Sequence, residues 1–376
     1  MNKLLKHIGC IALLLILIVS SGCSAKTAER EEINSDGKKI TILNTKTPLQ
    51  TENAALGNDF EVEKIDRYEG IRGEDWLTED VILITKENTE LDPIFVSDQM
   101  SNIRNLYSYN LKSKEEKNIL KETEFLWRPI VSPDRKHIFS EKFEPDKYTG
   151  LILDIEGNVK TAIESDAATG LGFSLNSGRW VDNEEVIIPS SNEGVYLIDV
   201  DSNISKIEGI GRMQTDDAVK VGDKIYYVSV EKELVAYDTN TKQREVIKDN
   251  VLNFELSPHK DTFAIEKKVS ANRTELVLID LDGNEKATLL EAKLIFGLSW
   301  SPDQSKLAYL ITSEDESKSG LYVMDLASER SLYVSRDFIN IDGGLKWSPS
   351  SKKILASIGE VKDMKVIDNT YVISLK

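Results

Sequence analysis

The side chains able to do chemistry are few in kind. The 376 residues include three histidines and two cysteines. Cys10 and Cys23 both fall near the start, so no CxxC metal or redox pair is formed. Past His7 only His137 and His259 remain, each in a Ser-Pro unit where a turn residue facing solvent is the simplest role. A site of two or three histidines does not follow from that pattern. Asp280-Leu-Asp-Gly283 carries the first oxygens of a calcium loop without the later ligands or the distant Glu. A plain turn, like those at Asp154 and Asp199, accounts for it. Gly-x-Ser-x-Gly, Walker and GxGxxG motifs are absent. No cofactor, metal or catalytic set is therefore expected. Acids outnumber bases 64 to 47, for a net charge of -17. Such a surface repels nucleic acid and anionic headgroups. Paired carboxylates for glycoside cleavage stay open, although no spacing singles out a pair.

Cys23 is the residue whose position carries most meaning. Lys3 and Lys6 precede an apolar run, Ile8 to Val19, and the small residues Ser20, Ser21 and Gly22 follow. The run is too short to span a bilayer comfortably and suits a signal-peptide core. Val19-Ser-Ser-Gly-Cys23 resembles the bacterial lipobox, with Ser20 where that family prefers Leu. The resemblance implies cleavage before Cys23, a diacylglyceryl or palmitate-type anchor on its sulfur, and an extracytoplasmic place on the cell membrane. The expected organisation is a signal peptide over 1–22, a lipidated cysteine and flexible tether over 23–38, and one domain over 39–376. Loss of Lys3 and Lys6 would leave a charge of about -19. Without a disulfide, that domain must rest on its core.

The domain repeats itself. Leu298-Ser-Trp-Ser-Pro-Asp-Gln-Ser-Lys-Leu-Ala308 is the sharpest copy, and Leu345 to Ala356, Phe254 to Ile265 and Pro129 to Ser140 follow the same plan. Each reads as a strand, a Ser-Pro turn and a return strand with alternate apolar residues. Weaker copies at Asp75–Ile84, Arg179–Ile188 and Val219–Val228 lack Ser-Pro. The residues before the turns, Trp76, Val131, Trp180, Lys220, Leu256, Trp300 and Trp347, stand 36 to 55 positions apart. A second hairpin follows each, as in Leu276-Val-Leu-Ile-Asp-Leu-Asp-Gly283. Four strands per unit of that length are the mark of a propeller blade. Trp76, Trp180, Trp300 and Trp347 share one repeat position and are expected to pack between blades; Trp127 falls outside that register.

Trp300 to Ala308 and Trp347 to Ala356 resemble the TolB-like, or WD40-like, repeat of bacterial envelope propellers, with Gln304 and Ser351 where that family has Gly. The expected fold is an all-β propeller of four-stranded blades. Seven markers give seven blades, and six or eight follow if a weak unit is miscounted. The last unit lacks a fourth strand, and Lys39-Ile-Thr-Ile-Leu43 is expected to supply it and remove an open sheet edge. The scaffold hosts many activities. The leading expectation is a non-catalytic, membrane-tethered binding or scaffold protein for a protein, peptide or cell-wall component. A glycan-active enzyme using channel carboxylates, or an accessory sensory subunit of a membrane partner, is the alternative. Recognition is expected in the loops after each unit's second and fourth strands, with Phe95 and Asp98 in one, Phe143 and Tyr148 in another, and Arg212, Asp216 and Asp217 in a third.

Overall fold

A computed structural model describes residues 60–376 apart from 97–98, 121–124, 145–146, 165–177, 191–193 and 363–364, together with the backbone of two strands, Arg30–Ser35 and Lys38–Leu43. The repeats form seven antiparallel four-stranded sheets around a channel, with each blade's first strand innermost. The first blade is Arg72–Trp76, Val81–Glu87, Arg104–Asn110 and Glu116–Leu120. The inner strands of blades two to seven are Phe125–Val131, Arg179–Trp180, Met213–Val221, Val251–Leu256, Leu294–Trp300 and Asp342–Trp347.

Alternation along the strands divides the core into wedges. In the second strand of blade five, Phe263 and Ile265 pack towards blade four while Ala264 packs towards blade six. Seven apolar clusters result among the described residues, one at each junction of neighbouring blades. The ring is therefore held between blades rather than around a single centre.

The Ser-Pro turns have a local cause. Ser132, Ser257, Ser301 and Ser348 are buried, and their hydroxyls accept the backbone N–H of His137, Thr262, Lys306 and Lys353, where the return strand begins. Two residues past each proline the backbone turns left-handed, at Arg135 (φ 63°), Lys260 (φ 58°), Gln304 (φ 58°) and Ser351 (φ 59°). The family's Gly position thus keeps its left-handed geometry without glycine.

The closing strand differs from the expectation. Val62–Glu69 lies outermost on blade seven, with Val62 opposite Leu375 and Glu69 opposite Asn369. Lys38–Leu43, which contains the expected 39–43, pairs instead with Arg30–Ser35 in a separate hairpin. An outer strand needs little apolar surface: Ile65 is the sole fully buried residue of Val62–Glu69. That strand shows no clear alternation in sequence, whereas Lys39–Leu43 does. The closing seam is also partly polar. The hydroxyls of Ser357 and Thr370 in blade seven accept the Gly73 N–H of blade one, at 3.0 and 2.7 Å. A Cβ on Gly73 would meet Thr370 Cγ2 at 2.8 Å.

Candidate binding site in the central channel

The markers and the residues just before them build the channel wall. Outside blade four, where Val219 itself packs into a blade junction, the marker side chain turns into a junction and its predecessor faces the other way. Asp75, Ile130, Arg179, Glu255, Ser299 and Lys346 all line a cavity of about 800 Å³. The same residues hold the ring by their backbones. The indole N–H of Trp76 donates to Lys346 O, Trp180 to Ile130 O, Trp300 to Glu255 O and Trp347 to Ser299 O, at 3.0, 3.2, 3.2 and 3.0 Å. Each indole thus reaches the preceding blade, and Trp76 does so across the closing seam. Lys220 holds the marker place in blade four and ion-pairs with Glu185 of blade three at 2.7 Å.

Arg179 is the electrostatic centre. Its guanidinium meets Glu255 with two nitrogens, at 2.9 and 3.0 Å, and Asp217 with one, at 2.9 Å. Three blades are joined across the channel. The three side chains keep 30, 30 and 26% of their surface open, Glu255 the least, so channel water reaches a cluster walled by protein. Burial opposes the Arg179 charge, and Asp217 and Glu255 outweigh it, holding the guanidinium charged. Burial, helped by the Glu255 charge, pushes the Asp217 carboxyl up although Arg179 pulls it down. One cation faces two acids, so the cluster has an excess negative charge when both are ionised. Three further acids sit in the wall, among them Asp75, which accepts the Val131 N–H at 3.0 Å. Glu74 accepts from Thr85 at 2.6 Å and lies 3.3 Å from Arg72, and Glu141 is buried.

Of the predicted site residues, only Arg212 and Asp217 have side chains among the described residues. Asp217 was expected in a loop. It lies instead on the inner strand Met213–Val221, with its carboxylate on Arg179 in the channel. Asp216 shares that strand, which begins too early to leave either residue in a loop; its side chain lies outside the described residues. Arg212 is exposed in the short connection between blades three and four, on the predicted face. The segment 141–150 is not a loop but the tip of a hairpin, His137–Glu144 with Lys147–Asp154, in which Phe143 faces Tyr148 across the strands. The strands run to Glu144 and from Lys147, so Phe143 and Tyr148 stand on strands rather than in the expected loop. The segment 86–105 carries a small hairpin of its own, with Phe95 on Ile94–Val96. The side chains of Phe95, Phe143 and Tyr148, and all of Asp98, lie outside the described residues.

The sequence reading passed over Arg179, Glu255 and Lys346. Their signal was available: each stands directly before a marker whose inward packing forces it to face the channel. His137 and His259 stand at the turns, with His137 Nδ1 3.3 Å from Asn183 O. Among the described residues no three His, Cys, Asp or Glu side chains are grouped as a metal would need. Asp280 spends its oxygens on its own turn, accepting from the backbone of Asp282 and Asn284 and from the Asn284 amide, as Asp154 and Asp199 do in theirs.

No protein-family model matches this chain. Solved propellers do. The uncharacterized protein lmo1340 of Listeria monocytogenes EGD-e is 12% identical over 85% of this chain and 92% of that one, at a TM-score of 0.56. An oligogalacturonate lyase in complex with manganese is 11% identical over 93% and 96%, at 0.58. TolB from Acinetobacter baumannii is a looser match, 15% identical over 71% and 65%, at 0.46. At such identities the likeness shows the fold alone. The lyase's manganese finds no grouped donor set here among the described residues.

Proposed function

We propose that this protein is a lipid-anchored, extracytoplasmic binding or scaffold protein whose propeller recognises a protein, peptide or cell-wall component on one face. The contrast between the two faces carries the reading. On the turn face the tip side chains are bonded to other blades. Arg135 donates to Trp76 O, Lys260 to Val181 O, Gln304 to Asp261, and Ser351 accepts from Asp303 N. The opposite face holds the long connections at 88–103 and 313–319. It also holds exposed aliphatics at Val230, Val269, Leu294, Val361 and Val366, of which Val361 is 78% exposed, whereas the turn face has Ile155, Val159 and Ile204 at the outer turns of blades two and three. Apolar surface free of partners beside a rigid frame suits recognition.

Crosslinking and pulldown from the protein's own membrane is the test, with a Val361→Glu/Val269→Glu pair on the loop face and Lys260→Ala on the turn face. Loss of the captured partner with the first pair alone supports the reading; loss with Lys260→Ala alone overturns it. For the anchor, Cys23→Ser should release the protein or leave it unprocessed. Retention of a cleaved Cys23→Ser protein on the membrane at the level of wild type would remove the lipid from the account.

A second reading is favoured by one observation. Asp217 and Glu255 contact the same Arg179 nitrogen, so their oxygens stand within about 6 Å, in the range of paired acids that cleave glycosides. Turnover of wall glycans or oligogalacturonate by wild type, abolished in Glu255→Gln, would establish that reading over binding alone.

A further inference from the structure

Glu266 lies on the second strand of blade five, directly behind the channel wall, and only 4% of it is exposed. Its carboxyl has one hydrogen bond among those described, from the Asn253 amide at a long 3.5 Å, and Asn253 itself lines the cavity. An acid so placed is costly to ionise. Alternation turns it the same way as Ala264, into the junction with blade six, where Leu276, Ile295 and Leu298 pack. The charged groups around it are committed elsewhere. On its own strand, Lys267 faces away to Glu285 at 3.0 Å, and Lys268 stands nearer the loop rim. From the inner strand, Glu255 turns to Arg179. From the third strand Leu276 stands opposite, and Glu275 reaches Lys267 and Arg273. From blade six come the phenols of Tyr309, Tyr322 and Tyr333, bonded to Ser331, Lys318 O and Ser319 O.

We propose that Glu266 is a proton-held latch: as a neutral acid it keeps the seam between blades five and six shut, and on losing its proton it loosens that seam and the channel wall at Asn253. Burial pushes its carboxyl up to about 8, against the pull of the Asn253 amide. The three phenols are all shifted upwards by burial, so they stay neutral across this range. The sign follows from linkage. The folded state holds a proton that the unfolded state gives up in the ordinary carboxyl range, so stability falls as pH climbs from about 5 to about 8 and is level above. A protein outside the cytoplasm would meet such changes directly; that clause rests on the proposed location, and the titration does not.

The test compares wild type with Glu266→Gln in the full chain. The folding equilibrium constant of the variant relative to wild type should grow about tenfold per pH unit between pH 5 and 8. Carboxyl carbon NMR of wild type should place the Glu266 midpoint near 8. Amide protection at 263–270 and 294–300 should fall above that midpoint once intrinsic exchange is corrected. If Glu266→Gln fails to fold, the wild-type titration decides. A midpoint between 4 and 5, a pH-independent ratio, or protection unchanged through the midpoint would each overturn the latch.

Discussion

At the turn tips, four residues hold a backbone shape that glycine would adopt more easily. Arg135, Lys260, Gln304 and Ser351 each accept a left-handed cost of about 1–2 kcal/mol. In return, each bonds another blade: blade one for Arg135, blade five for Gln304 and blade six for Ser351, while Lys260 passes over blade four to reach blade three. The trade is not equal at every site. The Lys260 contact is exposed, so Lys260→Gly should stabilise the domain by up to about 1 kcal/mol, read as a higher melting temperature. Ser351 is buried and satisfies the Asp303 N–H, so Ser351→Gly should gain less or lose stability. The channel makes the opposite point about charge. Arg179→Met would leave Asp217 and Glu255 facing each other without their cation. Discounted for channel water, the loss should be about 2 kcal/mol at pH 7. It should shrink as pH falls towards 5, because each acid would then hold its proton more tightly folded than unfolded. Denaturation curves at the two pH values check this.

The strand was legible in sequence where burial is two-sided and obscure where it is not. The inner and second strands announced themselves through Trp, Ser-Pro and alternate aliphatics, because both faces of those strands meet neighbouring blades. The seven-blade count and the blade junction role of Trp76, Trp180, Trp300 and Trp347 follow from that signal, and the structure carries both. The outer strand of blade seven needs Ile65 and little more, so nothing in Val62–Glu69 distinguished it from a polar linker. The channel cluster was obscure for another reason. Arg179, Asp217 and Glu255 are far apart in sequence and meet through ring geometry alone. The revised closure has a direct test. Deleting 38–43 should leave the melting temperature within a few degrees of wild type. Deleting 62–69 should strip an edge from blade seven and lower it sharply.

Over the whole molecule, one seam is unlike the rest. Each of the other six blades takes its four strands from one stretch of sequence, whereas blade seven takes its outer strand from residues 62–69 and its other three from 342–375. Arg104 and Asp368 add a 2.6 Å ion pair between blades one and seven, with both side chains largely shielded. The pairing of Val62 with Leu375 has a consequence for how the chain comes into being. Closing a loop of that length is slow, and the partner of 62–69 is made long after it. Until then the strand at 62–69 waits with no sheet to join. The early blades can therefore fold as they are made, but the circle cannot lock before residues 365–375 are present. Residues 365–375 act as a completion signal: a protein truncated before Lys365 should remain open to proteases, whereas one that includes them is sealed.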